Sequence, residues 1–146
     1  MAHETTVNLA TQVANGTLDW ANDDIRILLA GSLSAITAES LNLGAAAIGE
    51  VSGTGYTRLA VPGRSVDPAG AGGNVRYNAT KIQWGALTLD QAVTRAIVYK
   101  HDPGGLDANH VPLLILDLGA INVPAADTFS IDFPSTGAAR VKYGAL

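Results

Sequence analysis

The chain has 146 residues and no cysteine, and its 9 basic and 13 acidic residues leave a net charge of −4. That length makes one domain, able to bury roughly two-thirds of its unfolded surface. It excludes disulfides, thiolate metal sites and a cysteine nucleophile, and the acidic balance offers no basic face to a nucleic-acid backbone. Charged residues are only 15% of the chain, against about 25% in an ordinary soluble domain, and aromatics are 5%. Mean hydropathy is nevertheless +0.20, so the apolar content is mostly Ala, Leu, Val and Ile. A small domain with so little charge is expected to hide surface in an assembly. No apolar run approaches the roughly 18 residues of a membrane helix. The opening Met-Ala-His-Glu-Thr-Thr lacks a basic region followed by an apolar one, so no secretory signal is expected.

Residues 1–15 read as a short helix or an ordered N-terminal arm. Val7, Ala10, Thr11 and Ala14 share a helical face, while Val7, Leu9 and Val13 fit strand alternation almost as well. Asn15-Gly16 is a turn signal. Residues 24–30 (Asp-Ile-Arg-Ile-Leu-Leu-Ala) read as a strand entering a core. Residues 31–49 are rich in Ala and Ser and mostly irregular, with one helical turn allowed at residues 37–41 under a Thr37 cap. Gly53 and Gly55 punctuate the chain before a strand at residues 56–61, and Pro62-Gly63 is a turn. The composition of residues 67–74, from Asp67 to Asn74, is that of a flexible loop. Residues 75–77 and 81–84 are short strand candidates, and residues 93–100 (Val-Thr-Arg-Ala-Ile-Val-Tyr-Lys) are the best strand in the chain. A turn-rich loop from His101 to His110 follows. Residues 112–118 read as a central strand buried on both faces. Residues 128–133 and 140–143 complete the set. About eight short strands without a competing helical pattern predict an all-β, single-domain antiparallel sandwich or barrel of jelly-roll kind. The β domain covers residues 16–146 behind the N-terminal segment 1–15.

The constellations of catalysis are missing. There is no Gly-x-Ser-x-Gly elbow. The Gly-rich stretch at residues 69–74 lacks the Lys and Ser/Thr of a phosphate-binding loop. His101, Asp102, Asp107 and His110 share one loop, but their spacing does not match a helical zinc site, and turn-rich loops hold such residues for backbone reasons. Asp23-Asp24 is an adjacent acidic pair at the start of a strand, with no second acid at a glycosidase-like distance. Trp20 and Trp84 are the two candidate ligand platforms. Ile82 and Trp84 alternate with Lys81 and Gln83, which points Trp84 into the core. No enzyme, metal or cofactor is expected.

The stretch Glu50-Val-Ser-Gly-Thr-Gly-Tyr-Thr-Arg58 resembles a motif of a family of small tailed-phage structural proteins. There a Val-Ser-Gly-Thr-Gly-Tyr segment opens a strand. A strand ending in Trp, an Ala-x-Val-Tyr-Lys-like strand and a strand ending in an acidic residue and Gly then follow. This chain offers Ile82-Gln-Trp84, Arg95-Ala-Ile-Val-Tyr-Lys100 and Leu114-Ile-Leu-Asp-Leu-Gly119 in that order. Asn15-Gly-Thr-Leu-Asp-Trp20 and Asp24-Ile-Arg-Ile-Leu-Leu29 also resemble the family's opening, and the likeness spans roughly residues 7–135. The Ala-rich residues 41–48 and the Pro-Gly-Gly loop after Lys100 depart from it. The resemblance implies a virion component and not an enzyme. Its expected role is a capsid decoration, or cement, protein on the outer face of the capsid. Such a protein would bind the major capsid protein as a dimer or trimer and have no nucleic-acid or membrane partner. A neck, tail or fibre-associated protein is the rival within the particle, and a host-glycan-binding sandwich the rival outside it. On this reading Gly53, Gly55, Tyr56, Trp84, Tyr99 and Lys100 form the structural motif. Contact with partners falls to Val7 and Leu9 in the N-terminal segment, Asp67 and Asn74 in one loop, and His101 and His110 in the other.

Overall fold

Two antiparallel sheets face each other across an apolar core. A computed structural model of the chain describes residues 3–69, 74–133 and 140–144. Its strands are β1 (His3–Thr5), β2 (Ile25–Ala30), β3 (Gly53–Thr54), β4 (Leu59–Ala60), β5 (Ser65–Ala69), β6 (Asn74–Asn78), β7 (Ile82–Leu89), β8 (Val93–Lys100), β9 (Val111–Ile121), β10 (Asp127–Asp132) and β11 (Arg140–Gly144). One helix, α1 (Val7–Ala14), follows β1. The first sheet has the order β1-β9-β8-β2-β4, the second β11-β10-β7-β3, and β5 and β6 form a separate hairpin. The fold is thus an all-β sandwich and not a closed barrel.

The pattern of side chains explains the layers. In β2, Ile25, Ile27 and Leu29 point inward, and they meet Ala96 and Val98 of β8 and Leu116 of β9 in one core. The second sheet supplies Ile82, Trp84 and Leu87 of β7 with Phe129 and Ile131 of β10 to the same core. The opposite face of the first sheet is also buried. Leu28, Ala30, Ile97, Tyr99 and Ile115 lie there beneath Ile36 and Leu43 of the irregular segment 31–49. This double burial is why β2 and β8 read as nearly continuous apolar runs and not as clean alternation.

Eleven strands among the described residues exceed the expected eight or so, and the differences have local causes. Strands of two or three residues, such as β1, β3 and β4, are too short to show periodicity. β7 runs on past Trp84 to Leu89. There Gly85 and Ala86 stand opposite the single residue Thr128 as a bulge, with Ala86 at φ +48°, and the inward phase resumes at Leu87. Residues 65–69 and 74–78 pair as strands where a loop is expected at 67–74; its centre, residues 70–73, lies outside the described residues. β9 is buried at its start and increasingly exposed toward Ile121, so it is central on both faces only over its first half. Residues 37–41 form a turn and no helix: Ser40 N–H donates to the Thr37 carbonyl at 3.0 Å and Thr37 N–H to Ser40 Oγ at 2.9 Å.

Candidate functional site

The Glu50–Arg58 motif closes the outer edge of β2. Val51 N–H donates to the Leu29 carbonyl (3.1 Å) on one side, and Val61 N–H to the Ile25 carbonyl (2.9 Å) on the other. Between them the chain leaves the edge to make the Gly53–Gly55 turn, and the Tyr56 hydroxyl fills the gap by accepting Leu29 N–H at 3.0 Å. The same hydroxyl donates to Glu50 Oε1 at 2.7 Å. Burial pushes the Tyr56 phenol well above its ordinary value, and the Glu50 carboxylate adds to this, so it remains a donor at any working pH. The turn is tight because it passes over β7. A Cβ on Gly55, which sits at φ +81°, would lie 2.8 Å from the Ala86 carbonyl oxygen, and one on Gly53 would collide with that of Thr88.

Arg58 carries this edge across the outer face. Its Nε and Nη2 grip both oxygens of Glu50 at 2.9 and 2.7 Å, a bidentate pair. Its Nη1 donates to Asp107 Oδ1 at 2.8 Å, and the guanidinium carbon stands 5.7 Å from the centre of the Tyr99 ring. The Arg58 hydrogen bond holds the Asp107 carboxyl below the usual carboxylate range. Asp107 also faces His110 Nδ1 at 3.2 Å. The 101–110 loop is thereby tied to the sheet edge through two half-buried charges.

The loop also abuts the segment 31–49, which forms an outer layer over the first sheet. Leu43 N–H donates to the His110 carbonyl at 2.9 Å, and Gly44 lies against the Ala108 backbone. The start of α1 joins the same layer, with Val7 N–H donating to the Ala38 carbonyl (2.9 Å) and Asn8 Nδ2 to the Ser40 carbonyl (2.7 Å). Across residues 31–49 there is one charged residue, Glu39. The layer exposes Leu33 (76%) and Leu41 (68%), flanked by Leu106 (63%) of the loop and Val7 (47%) of α1.

The residues singled out from sequence separate accordingly. Gly53, Gly55 and Tyr56 form the turn and edge just described. Trp84 is buried, with its Nε1 donating to the Thr57 carbonyl at 2.8 Å and its ring edge-on to Phe129. Tyr99 is fully buried beneath the outer layer. Lys100 ends β8 and bonds Asp23 and the Thr17 carbonyl, each at 2.9 Å. Of the proposed contact residues, Val7 is exposed but Leu9 packs against the main core. Asp67 and Asn74 sit in the two strands of the β5–β6 hairpin. His101 is half-buried. His110 is a correction: it is 2% exposed, covered by Tyr99, His101 and Asp107, and offers no surface to a partner. Asp102 accepts from Gly104 N–H (2.9 Å), an ordinary turn role. Among the described residues no three His, Cys, Asp or Glu side chains are grouped to hold a metal ion, and no helix is long and apolar enough to cross a membrane.

Leu33 and Leu41 escaped the sequence reading as contact residues. The available signal was the run of residues 31–49 with a single charge, since a segment that short of charge yet unable to form a regular element must either be covered or cover something. No family model, curated protein or solved structure matches the chain.

Proposed function

We propose that the chain is a virion structural protein: a capsid decoration protein that binds the outer face of the major capsid shell as a dimer or trimer. The observation that carries this reading is the outer layer, with one charge in residues 31–49 and leucines at positions 33, 41 and 106 left in water. Exposed leucines on uncharged surface cost solvation, and a protein partner recovers it by removing apolar area from water at about 25 cal/mol per Å². The order of motifs from Glu50 to Gly119 supports the same assignment. Stabilisation of the shell follows from mass action, because a protein that binds only assembled subunits favours assembly. Trp20 and Trp84 are 6% and 2% exposed, so neither serves as a stacking platform for a host glycan.

The test is reconstruction of purified particles containing this protein. Copies arrayed over the whole shell, with the 31–49 layer toward capsid subunits, are the expected result. Copies confined to one vertex move the protein to the neck or tail, and absence from the particle overturns the structural role. A Leu33→Ser, Leu41→Ser double variant keeps its fold, since both side chains are exposed, and loses occupancy on the shell.

A further inference from the structure

The two histidines of the β8–β9 loop form a pair that the fold and the proposed role leave unexplained. Lys100↔Val111 is the last rung of the hairpin, so His101 and His110 meet across its mouth. Their ring centres are 4.6 Å apart, and both rings lie beside Tyr99, at 6.3 and 5.0 Å. His101 Nδ1 and His110 Nε2 are both buried and have no hydrogen-bond partner. A neutral imidazole tolerates this by presenting a lone pair there. A protonated one cannot, because both ring nitrogens then carry N–H, and a buried cationic donor without an acceptor is costly.

The surrounding charges sharpen the point for His101. Arg26 on β2 and the His110 ring oppose its protonation, whereas Asp24 ahead of β2 and Asp102 in the loop favour it. Asp107, the acid beside His110, is already engaged by Arg58, as is Glu50 behind it. Burial first, then Arg26, holds the His101 imidazole below its ordinary value.

We propose that the His101–His110 pair is an acid-sensitive latch that keeps the 101–110 loop closed against the outer layer while the His101 ring is neutral and loosens it when His101 takes a proton. The sign follows from linkage. The open chain titrates near histidine's ordinary value of about 6.5, and the closed state titrates lower. Closure is therefore at full strength above that value and is lost progressively as pH falls from it toward the lower closed-state value, because the open state takes the proton more readily. Asp107 and Asp24 are both held below the usual carboxylate range, by Arg58 and Arg26 respectively, and stay ionised across this window. What the latch releases is set by the contacts beyond it: the His110 carbonyl that holds Leu43 N–H, and Ala108 beneath Gly44.

Amide hydrogen exchange on the whole chain tests this at about pH 7.5 and about pH 5, either side of the ordinary histidine value, with rates corrected for intrinsic exchange. Protection of the Leu43 amide falls severalfold on acidification, while the Leu29 and Val98 amides in the sheet keep theirs. In His101→Gln the fall disappears. Unchanged Leu43 protection overturns the latch, as does a fall that persists in His101→Gln or one shared by Leu29 and Val98. If His101→Gln fails to fold, an NMR titration of the unaltered chain decides: His101 titrating below its ordinary value supports the latch, and at or above it overturns it.

Discussion

The Tyr56 hydroxyl stands in for a missing strand partner at the edge of β2. It accepts the Leu29 backbone N–H at 3.0 Å and donates its own hydroxyl hydrogen bond to Glu50 Oε1 at 2.7 Å. Leu29 is fully buried, so its amide has no access to water as an alternative acceptor. Tyr56→Phe keeps the ring and removes only this link. It is expected to cost about 1–3 kcal/mol, the penalty of an unsatisfied buried donor. Chemical denaturation measures the loss, and faster exchange of the Leu29 amide locates it. An unchanged midpoint would mean that the edge closes without the hydroxyl.

The two glycines before Tyr56 differ in what they tolerate from a glycine elsewhere. A Cβ on Gly53 would meet the backbone of β7, colliding with the Thr88 carbonyl oxygen and standing 2.9 Å from Leu89 Cα. Neither atom can step aside without breaking the β3–β7 pairing at Gly53↔Leu89. Gly53→Ala should therefore cost at least about 1–3 kcal/mol. Gly16, at φ +67°, has nothing within 4 Å of such a Cβ, so Gly16→Ala carries only the left-handed strain of about 1 kcal/mol. Parallel urea titrations of the two variants give the ranking, and equal losses would refute the close-approach account.

β8 was legible to the residue because both of its faces are apolar, and β2 nearly so. β7 was cut short at Trp84 because the Gly85–Ala86 bulge shifts the inward phase by one position. The irregular character of residues 31–49 was readable from their Ala, Ser and Gly content, but their position over Tyr99 and Ile97 was not, since a segment without a period gives no face. The burial of His110 was hidden for a related reason. An Asp-Pro-Gly-Gly turn reads as solvent-facing, and what covers the ring includes Tyr99 on the preceding strand, while the loop is held by Leu43 and Arg58, far away in the chain. The motif around Tyr56 stood out as a string, yet the pairing of Glu50 with Arg58 and of Arg58 with Asp107 depends on tertiary contacts that no spacing encodes.

Trp84 joins the two halves of the main core to the edge turn. Its ring meets Phe129 edge-on at 5.8 Å, and its Nε1 holds the Thr57 carbonyl, one residue beyond Tyr56. Trp84→Ala is expected to cost about 3–5 kcal/mol through lost burial and the cavity left behind. Trp84→Phe retains an aromatic contact but orphans the Thr57 carbonyl, and should fall between Trp84→Ala and the unaltered chain. Thermal unfolding of both variants checks the order. Equal stability of Trp84→Ala and the unaltered chain would contradict the burial of this ring.

The N-terminal segment is held by polar side chains that are themselves buried, which makes it part of the sandwich and not a free arm. Thr6, 2% exposed, accepts Leu9 N–H at 3.1 Å as the cap of α1 and donates to the Pro112 carbonyl at 2.7 Å. Asn8, 8% exposed, reaches the carbonyls of Ser40 and Pro112. β1 pairs with β9 from His3↔Leu116 to Thr5↔Leu114, and Leu9 packs on the main core. Thr6→Val preserves shape but removes the cap and the bond to Pro112, at a cost of about 1–2 kcal/mol. Deleting residues 1–12 removes all of these contacts together, leaves β9 as the sheet's edge and exposes the carbonyls of Pro112 and Leu113. The truncated domain should unfold at clearly lower denaturant concentration than Thr6→Val does. A truncated chain as stable as the full one would return the segment to the status of a detachable arm, available for binding a neighbour.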